Sequence, residues 1–153
     1  MKTEPDVFSY SDLVASPKHT APWDGVRNYQ ARNFMRDDFK LGDRVFVYHS
    51  RVELPAIVGL AQVVKEGYTD HTALDPKSKY FDEKAAKKKV SPWIMVNVQA
   101  LGEFQNPITL ASMREDKFYK DMLVIKPGQR LSIQPVEMKI AEEIIKRGKL
   151  KAI

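Results

Sequence analysis

The chain reads as an α+β domain, a mixed β-barrel flanked by short helices, and three observations predict it. Runs rich in β-branched and aromatic residues recur at 44–50, 56–64, 93–101 and 130–134. Helical stretches are few and short. Helices and strands do not alternate in the βαβ rhythm of a parallel sheet, which leaves an antiparallel or mixed sheet that closes into a barrel-like shape. A length of 153 residues with 43% hydrophobic and 29% charged composition suits one soluble domain, 1–153.

The elements follow in order. Ser9 and Asp12 form a capping box that opens a short helix ending before Pro17. Asn28 is an N-cap for a second helix reaching about Met35. After the Leu41-Gly42-Asp43 turn, Arg44 to Ser50 is a strand whose near-continuous apolarity predicts burial on both faces. Ala56 to Val64 is the next strand, where Gly59 and Ala61 admit a close neighbour or mark a bulge. A polar connection, His71 to Ser91, leads to a third long strand from Trp93 to Leu101. Such a long connection suggests function or disorder. Thr109 caps a short helix through Arg114, and Arg130 to Gln134 alternates as a strand with one buried face. Pro135 to Arg147 carries Val136, Ile140 and Ile144 at helical spacing, with Gly148 as the stop.

Charge is placed unevenly. Residues 1–76 hold 9 Lys and Arg against 11 Asp and Glu, whereas residues 77–153 hold 16 against 9, so the net +5 belongs to the second half. Lys84, Lys87, Lys88, Lys89 and the basic end from Lys146 to Lys151 supply much of it. These lysines either attract phosphate without sequence preference or simply keep a loop and a tail solvated. The opening Met1-Lys2-Thr3-Glu4-Pro5 has no apolar stretch of the kind a signal peptide needs, so a cytoplasmic location is expected, or a nuclear one in a eukaryote. No apolar run approaches bilayer length, and no membrane partner is expected.

Enzyme chemistry is poorly represented. There are no cysteines, and His19, His49 and His71 have no metal-ligand spacing, so no metal or other cofactor is expected. No P-loop, dinucleotide fingerprint or nucleophile elbow occurs. His49 and Ser50 are adjacent on a strand and point to opposite faces, which prevents a direct base–nucleophile pair.

The run Trp23-Asp24-Gly25-Val26-Arg27-Asn28-Tyr29-Gln30-Ala31-Arg32-Asn33-Phe34-Met35-Arg36 concentrates aromatic, amide and guanidinium groups. Such groups suit a flat anionic ligand: an aromatic face stacks on a base, an amide reads its edge, and arginine holds phosphate. Trp23 is either such a platform or a plug at the core edge, while Trp93, opening a strand, reads as core. In Leu74 to Asp82, the Asp-Pro turn carries lysines and Tyr80 that suit phosphate and base, or form a surface loop pinned by Tyr80-Phe81.

Taken together, Met1 to Pro5, Trp23 to Arg36, Gly42-Asp43 through Tyr48-His49-Ser50, Ile57-Val58-Gly59, Asp75-Pro76-Lys77-Ser78-Lys79-Tyr80 and Arg130 to Pro135 resemble the EVE domain family. The likeness spans almost the whole chain in order. It implies a PUA-like pseudobarrel flanked by short helices and kinship with YTH domains, which enclose a methylated base in an aromatic pocket. It further implies a non-catalytic reader of a modified base in DNA or RNA, with modified cytosine favoured; the sequence does not give the oligomeric state, and a monomer is the favoured expectation. On that reading Trp23, with Tyr29 or Tyr48, covers the base, Asn28 and Ser50 read its edge, and Arg27, Arg32 and Lys2 hold the backbone or a base carbonyl. The matching segments add His49, Asp75, Ser78, Tyr80 and Ser132 to the pocket, and Lys77, Lys79, Lys87, Lys88 and Lys89 are placed on the nucleic-acid backbone. Two alternatives stand beside it: an enzyme acting on modified nucleotides through Asp24, Glu4 or His49, and a small-molecule or protein-binding module.

Overall fold

The computed structural model describes residues 1–153. Six strands, β1 (Lys2–Thr3), β2 (Thr20–Trp23), β3 (Arg44–His49), β4 (Ala56–Thr69), β5 (Ile94–Thr109) and β6 (Leu150–Ala152), make one mixed sheet. Its order is β1-β3-β4-β5-β2, with β6 also on β5. Only the β1–β3 pair is parallel. β5 is long enough to seat β2 beside residues 96–99 and β6 beside residues 102–104. The barrel expected from the sequence is not closed by strand pairing: the path runs from β1 to β2 and stops. Register shifts along β4 and β5 bend the sheet, because each bulge adds local twist.

The sheet is packed on both faces. Val45 and Val47 of β3 join one core with Leu13, Trp23, Val63 and Val96, while Tyr48, with Phe46 packed beside it, joins a second core with Leu60, Phe104 and Ile144. Alternate residues of one strand thus enter opposite layers, which explains why the sequence of β3 reads as almost continuously apolar. Gly59 is the close approach anticipated: a Cβ there would lie 2.6 Å from the ring of Tyr10. That tyrosine is buried, and its hydroxyl sits 2.6 Å from the Leu60 carbonyl and 2.8 Å from that of Gly102.

Five helices cover the sheet: α1 (Tyr10–Ala15), α2 (Tyr29–Asn33), α3 (Glu83–Lys88), α4 (Leu110–Glu115) and α5 (Met138–Gly148). Ser9 and Asp12 form the expected capping box on α1, Asn28 caps α2 through Ala31 N at 3.0 Å, and Thr109 caps α4. α2 runs on into a π-helical turn at Phe34–Asp38. The 71–91 connection is not one irregular loop. It holds a 3-10 turn at His71–Leu74 and α3, whose N-cap, Asp82, also accepts the indole N–H of Trp93 at 2.7 Å.

Three local expectations need correction. Residues 130–134 keep the alternation, with Leu131 and Ile133 buried, yet form no strand. Their polar groups turn inward locally: the Leu131 N–H bonds the Gln129 side chain and the Leu131 carbonyl accepts from Gln134, leaving one backbone bond, Lys2 N to Ser132 O at 2.8 Å. The last helix begins at Met138 rather than Pro135. The basic end is not a free tail, since β6 pairs with β5 and Arg147 is held by Asp116 and Glu143, both at 2.6 Å.

Candidate nucleic-acid interface

A wide cleft lies at the open seam of the sheet. Lys2 and Thr3 of β1 and Ala21, Pro22 and Trp23 of β2 line it from its two sides. Glu4, Val7 and Phe8, the segments 24–27, 50–51 and 79–80, and Gln129, Arg130 and Ser132 complete its wall. Its volume is about 900 Å³, at the upper end of the range for small-ligand sites.

Each wall has a local cause. Trp23 ends β2 opposite Val96 and meets Phe8 edge-on at 6.1 Å, so it is a strand residue that closes the core and shows only a small part of itself to the cleft. Gly25 follows at φ +73, a conformation that favours glycine. The Tyr80 ring lies directly over it, at 2.5 Å from where a Cβ would stand. Any side chain at Gly25 would therefore displace the Tyr80 ring, which with Phe8 is one of two partly exposed aromatic rings lining the cleft.

Arg27 lines the cleft but serves the scaffold. Its Nη1 donates to Asp70 at 2.7 Å and its Nη2 to the Tyr80 carbonyl at 2.6 Å. Asp70 is fully buried and also accepts from Gly25 N and from Thr72 N. Burial pushes the Asp70 carboxyl up, but the bonds from Arg27, Thr72 and Gly25 prevail and hold it below the usual carboxylate range. This ion pair ties the 24–27 segment to the 70–80 segment, and so fixes Tyr80.

The remaining cations form a rim. Lys79 lies 5.0 Å from the Tyr80 ring centre, Lys2 donates to the Gln129 carbonyl at 3.3 Å, Arg51 pairs with Glu4 at 3.2 Å, and Arg130 makes no ion pair. The Arg51–Glu4 pair is solvent-exposed and therefore weak. Burial, then the charge of Arg51, lowers the Lys2 pKa. Asp24 is half-buried among these groups. Burial first, and then the nearby charge of Asp70, pushes its carboxyl up.

Of the residues singled out in the sequence, Lys2, Glu4, Trp23, Asp24, Arg27, Ser50, Lys79, Tyr80 and Ser132 come together in the cleft. The others do not line it. Asn28 is committed to capping α2, Tyr29 stacks on Trp93 at 4.8 Å, and Arg32 donates to the Pro92 carbonyl. Tyr48 is buried in the second core, beside a small apolar hollow. His49 accepts the Tyr10 N–H at 3.0 Å, while the Ser50 hydroxyl donates to the Thr3 carbonyl, so the two do not form a pair. Asp75 and Ser78 bond the backbone of Lys77 and Tyr80 and shape the turn that carries Tyr80. Lys77, the α3 residues Lys87 and Lys88 and the C-cap Lys89 are exposed away from the cleft walls, with Lys87 paired to Glu83. Sequence reasoning missed Arg51, Gln129 and Arg130 as wall residues. Arg130 had a signal, because 130 and 132 share the face opposite buried Leu131 and Ile133.

Residues 1–147 match the EVE domain family model. The chain belongs to the EVE domain family. Thymocyte nuclear protein 1 from Homo sapiens is 41% identical over 152 residues, covering 89% of this chain and 67% of that protein. The Gallus gallus protein of the same name is 42% identical over 84% of this chain and 55% of its own length. This EVE domain thus spans between about half and two thirds of those relatives. Among solved structures, the DUF55 domain of human thymocyte nuclear protein 1 superposes with a TM-score of 0.87 at 41% identity, covering 99% of this chain and 98% of that one. A structure of human THYN1 protein in complex with 5-methylcytosine containing DNA aligns with a TM-score of 0.87 at 38% identity, covering 99% and 96%. A Pseudomonas syringae protein aligns with a TM-score of 0.88 at 41% identity, covering 96% of each chain. No helix of this EVE domain is long and apolar enough to cross a membrane.

Proposed function

We propose that this EVE domain is a PUA-like, non-catalytic reader of a modified base in DNA, with 5-methylcytosine the favoured ligand. The observation that carries the reading is the cleft at the sheet's open seam, where a partly exposed tyrosine ring, the edge of a tryptophan and a rim of Lys2, Arg51, Lys79 and Arg130 converge. The DNA-bound relative, alike over nearly all of both chains, supports it.

In this mechanism a nucleotide leaves its stack and enters the cleft, which costs a few kcal/mol. Stacking on Tyr80 returns about 1–3 kcal/mol. Hydrogen bonds from the walls supply the rest and the selectivity. The rim cations hold the flanking phosphates, which makes affinity fall with salt.

Anisotropy titrations of duplexes that differ only in one cytosine or 5-methylcytosine test the proposal. The methylated duplex should bind more tightly, and Tyr80→Ala, which leaves the carbonyl used by Arg27 in place, should weaken its binding by roughly 5- to 150-fold. Equal affinity of the unaltered protein for both duplexes would refute the reading.

A further inference from the structure

Asp24 is the one acidic group in the cleft with no partner of its own. Glu4 pairs with Arg51, and the neighbouring Asp70 is filled by Arg27, Thr72 and Gly25. The Asp24 carboxylate makes no ion pair and no hydrogen bond to any other residue, beyond a contact to its own backbone N–H. It sits in the chain between Trp23, which lines the cleft edge, and Gly25, over which the Tyr80 ring lies. The charged groups that act on it are Asp70, Lys79 and Arg27, and none of them bonds it. A half-buried acceptor that no protein group satisfies is free to accept from a ligand that brings an N–H.

A methyl-sensing pocket faces a particular problem of discrimination. 5-Methylcytosine and thymine carry the same 5-methyl group, so an apolar contact to that methyl cannot separate them. They differ at position 4, where cytosine offers amino hydrogens and thymine a carbonyl oxygen, with a matching change at N3. A carboxylate is the side chain that accepts from the cytosine amino group. Against thymine it meets the O4 lone pairs, and the acceptor stays unpaired.

We propose that Asp24 is the specificity-determining residue that separates 5-methylcytosine from thymine, its carboxylate accepting the 4-amino N–H of a base seated in the cleft. The inference rests on the cleft being the base pocket. The ionised carboxylate is acceptor-only, so it takes the amino hydrogen and has nothing to donate to the O4 of thymine. The burial of Asp24 makes the contact count for more than it would in open water.

The test uses duplexes with 5-methylcytosine, thymine or no base at one position, each opposite an abasic site so that pairing strength does not differ. The unaltered chain should prefer 5-methylcytosine over thymine by about 10-fold or more. Asp24→Asn should reduce that preference to within about 3-fold, because its amide turns either way and offers N–H to O4 as readily as C=O to the amino group. Asp24→Ala, which withdraws the acceptor, should do the same, with both variants shown to unfold at the same temperature as the parent. If the parent binds 5-methylcytosine well above the abasic duplex but does not distinguish it from thymine, or if both variants keep the preference, this inference fails and the cleft reading stands. If the parent binds the abasic duplex as tightly as the methylated one, the cleft reading fails and this inference with it.

Discussion

Replacing Arg27 with methionine removes the cation from a fully buried carboxylate. Met keeps most of the aliphatic stem, so the change isolates the guanidinium. Asp70 is 0% exposed and the Arg27 side chain 24% exposed, so the pair lies largely out of water. Removing one partner of such a pair costs about 3–5 kcal/mol, because the charge left behind is uncompensated. Gly25 and Thr72 still donate to Asp70, which places the expected loss near the lower end. For a chain of this length that is a fall of roughly 6–12 °C in Tm, read by circular dichroism at pH 7. The pH dependence checks the cause. In the parent, Asp70 titrates below its ordinary value of 3.8, so its contribution is present above that pH and is lost as pH falls through the lowered value. In Arg27→Met the guanidinium no longer offsets burial, already the largest single influence on Asp70, so the carboxyl pKa rises and the variant loses stability as pH rises above 3.8. The gap between the two proteins should therefore widen from pH 4 to pH 7. A gap under about 1 kcal/mol at pH 7, or one that does not change with pH, would refute the assignment of Arg27 to the scaffold.

Three further outcomes are expected. Gly59→Ala places a methyl against the Tyr10 ring and should destabilise by about 1–3 kcal/mol in urea unfolding, as overpacking does. His49 is held neutral by burial, which lowers its pKa from 6.5, and its Nε2 accepts the first N–H of α1. Stability should accordingly fall as pH drops below 6.5, and His49→Gln, whose carbonyl can accept without titrating, should flatten that slope. Replacing Lys87, Lys88 and Lys89 together with alanine should leave the ratio of methylated to plain DNA affinity unchanged in the anisotropy assay, since they lie away from the cleft walls. Any phosphate contact they make would appear only as a shallower salt dependence.

What the sequence revealed was local. The caps at Ser9, Asn28 and Thr109 are short-range hydrogen bonds that residue type and spacing specify, and all three form. Gly59 and the two-faced burial of β3 were legible for the same reason, because strand periodicity is a property of neighbouring residues. The cleft was only half legible, because its walls come from five or more segments brought together by the bending of β4 and β5. The Trp23–Arg36 run looked like one wall, yet the start of a helix takes Asn28 as its cap and turns Tyr29 and Arg32 towards Trp93 and Pro92. Arg51 and Arg130 replace them at the rim, and no local pattern joins positions 51 and 130. The barrel expectation failed to close at the same place, the seam between β1 and β2, and that opening is the cleft.

The most direct measurement of the central claim is an amide NMR titration with a short duplex carrying one 5-methylcytosine, compared with the unmethylated duplex. Shifts that depend on the methyl group should fall on Gly25, Ser50, Lys79, Tyr80 and Ser132, around the cleft. Methyl-dependent shifts confined to α2 around Tyr29 and Arg32, or to α3 around Lys87 to Lys89, would contradict it.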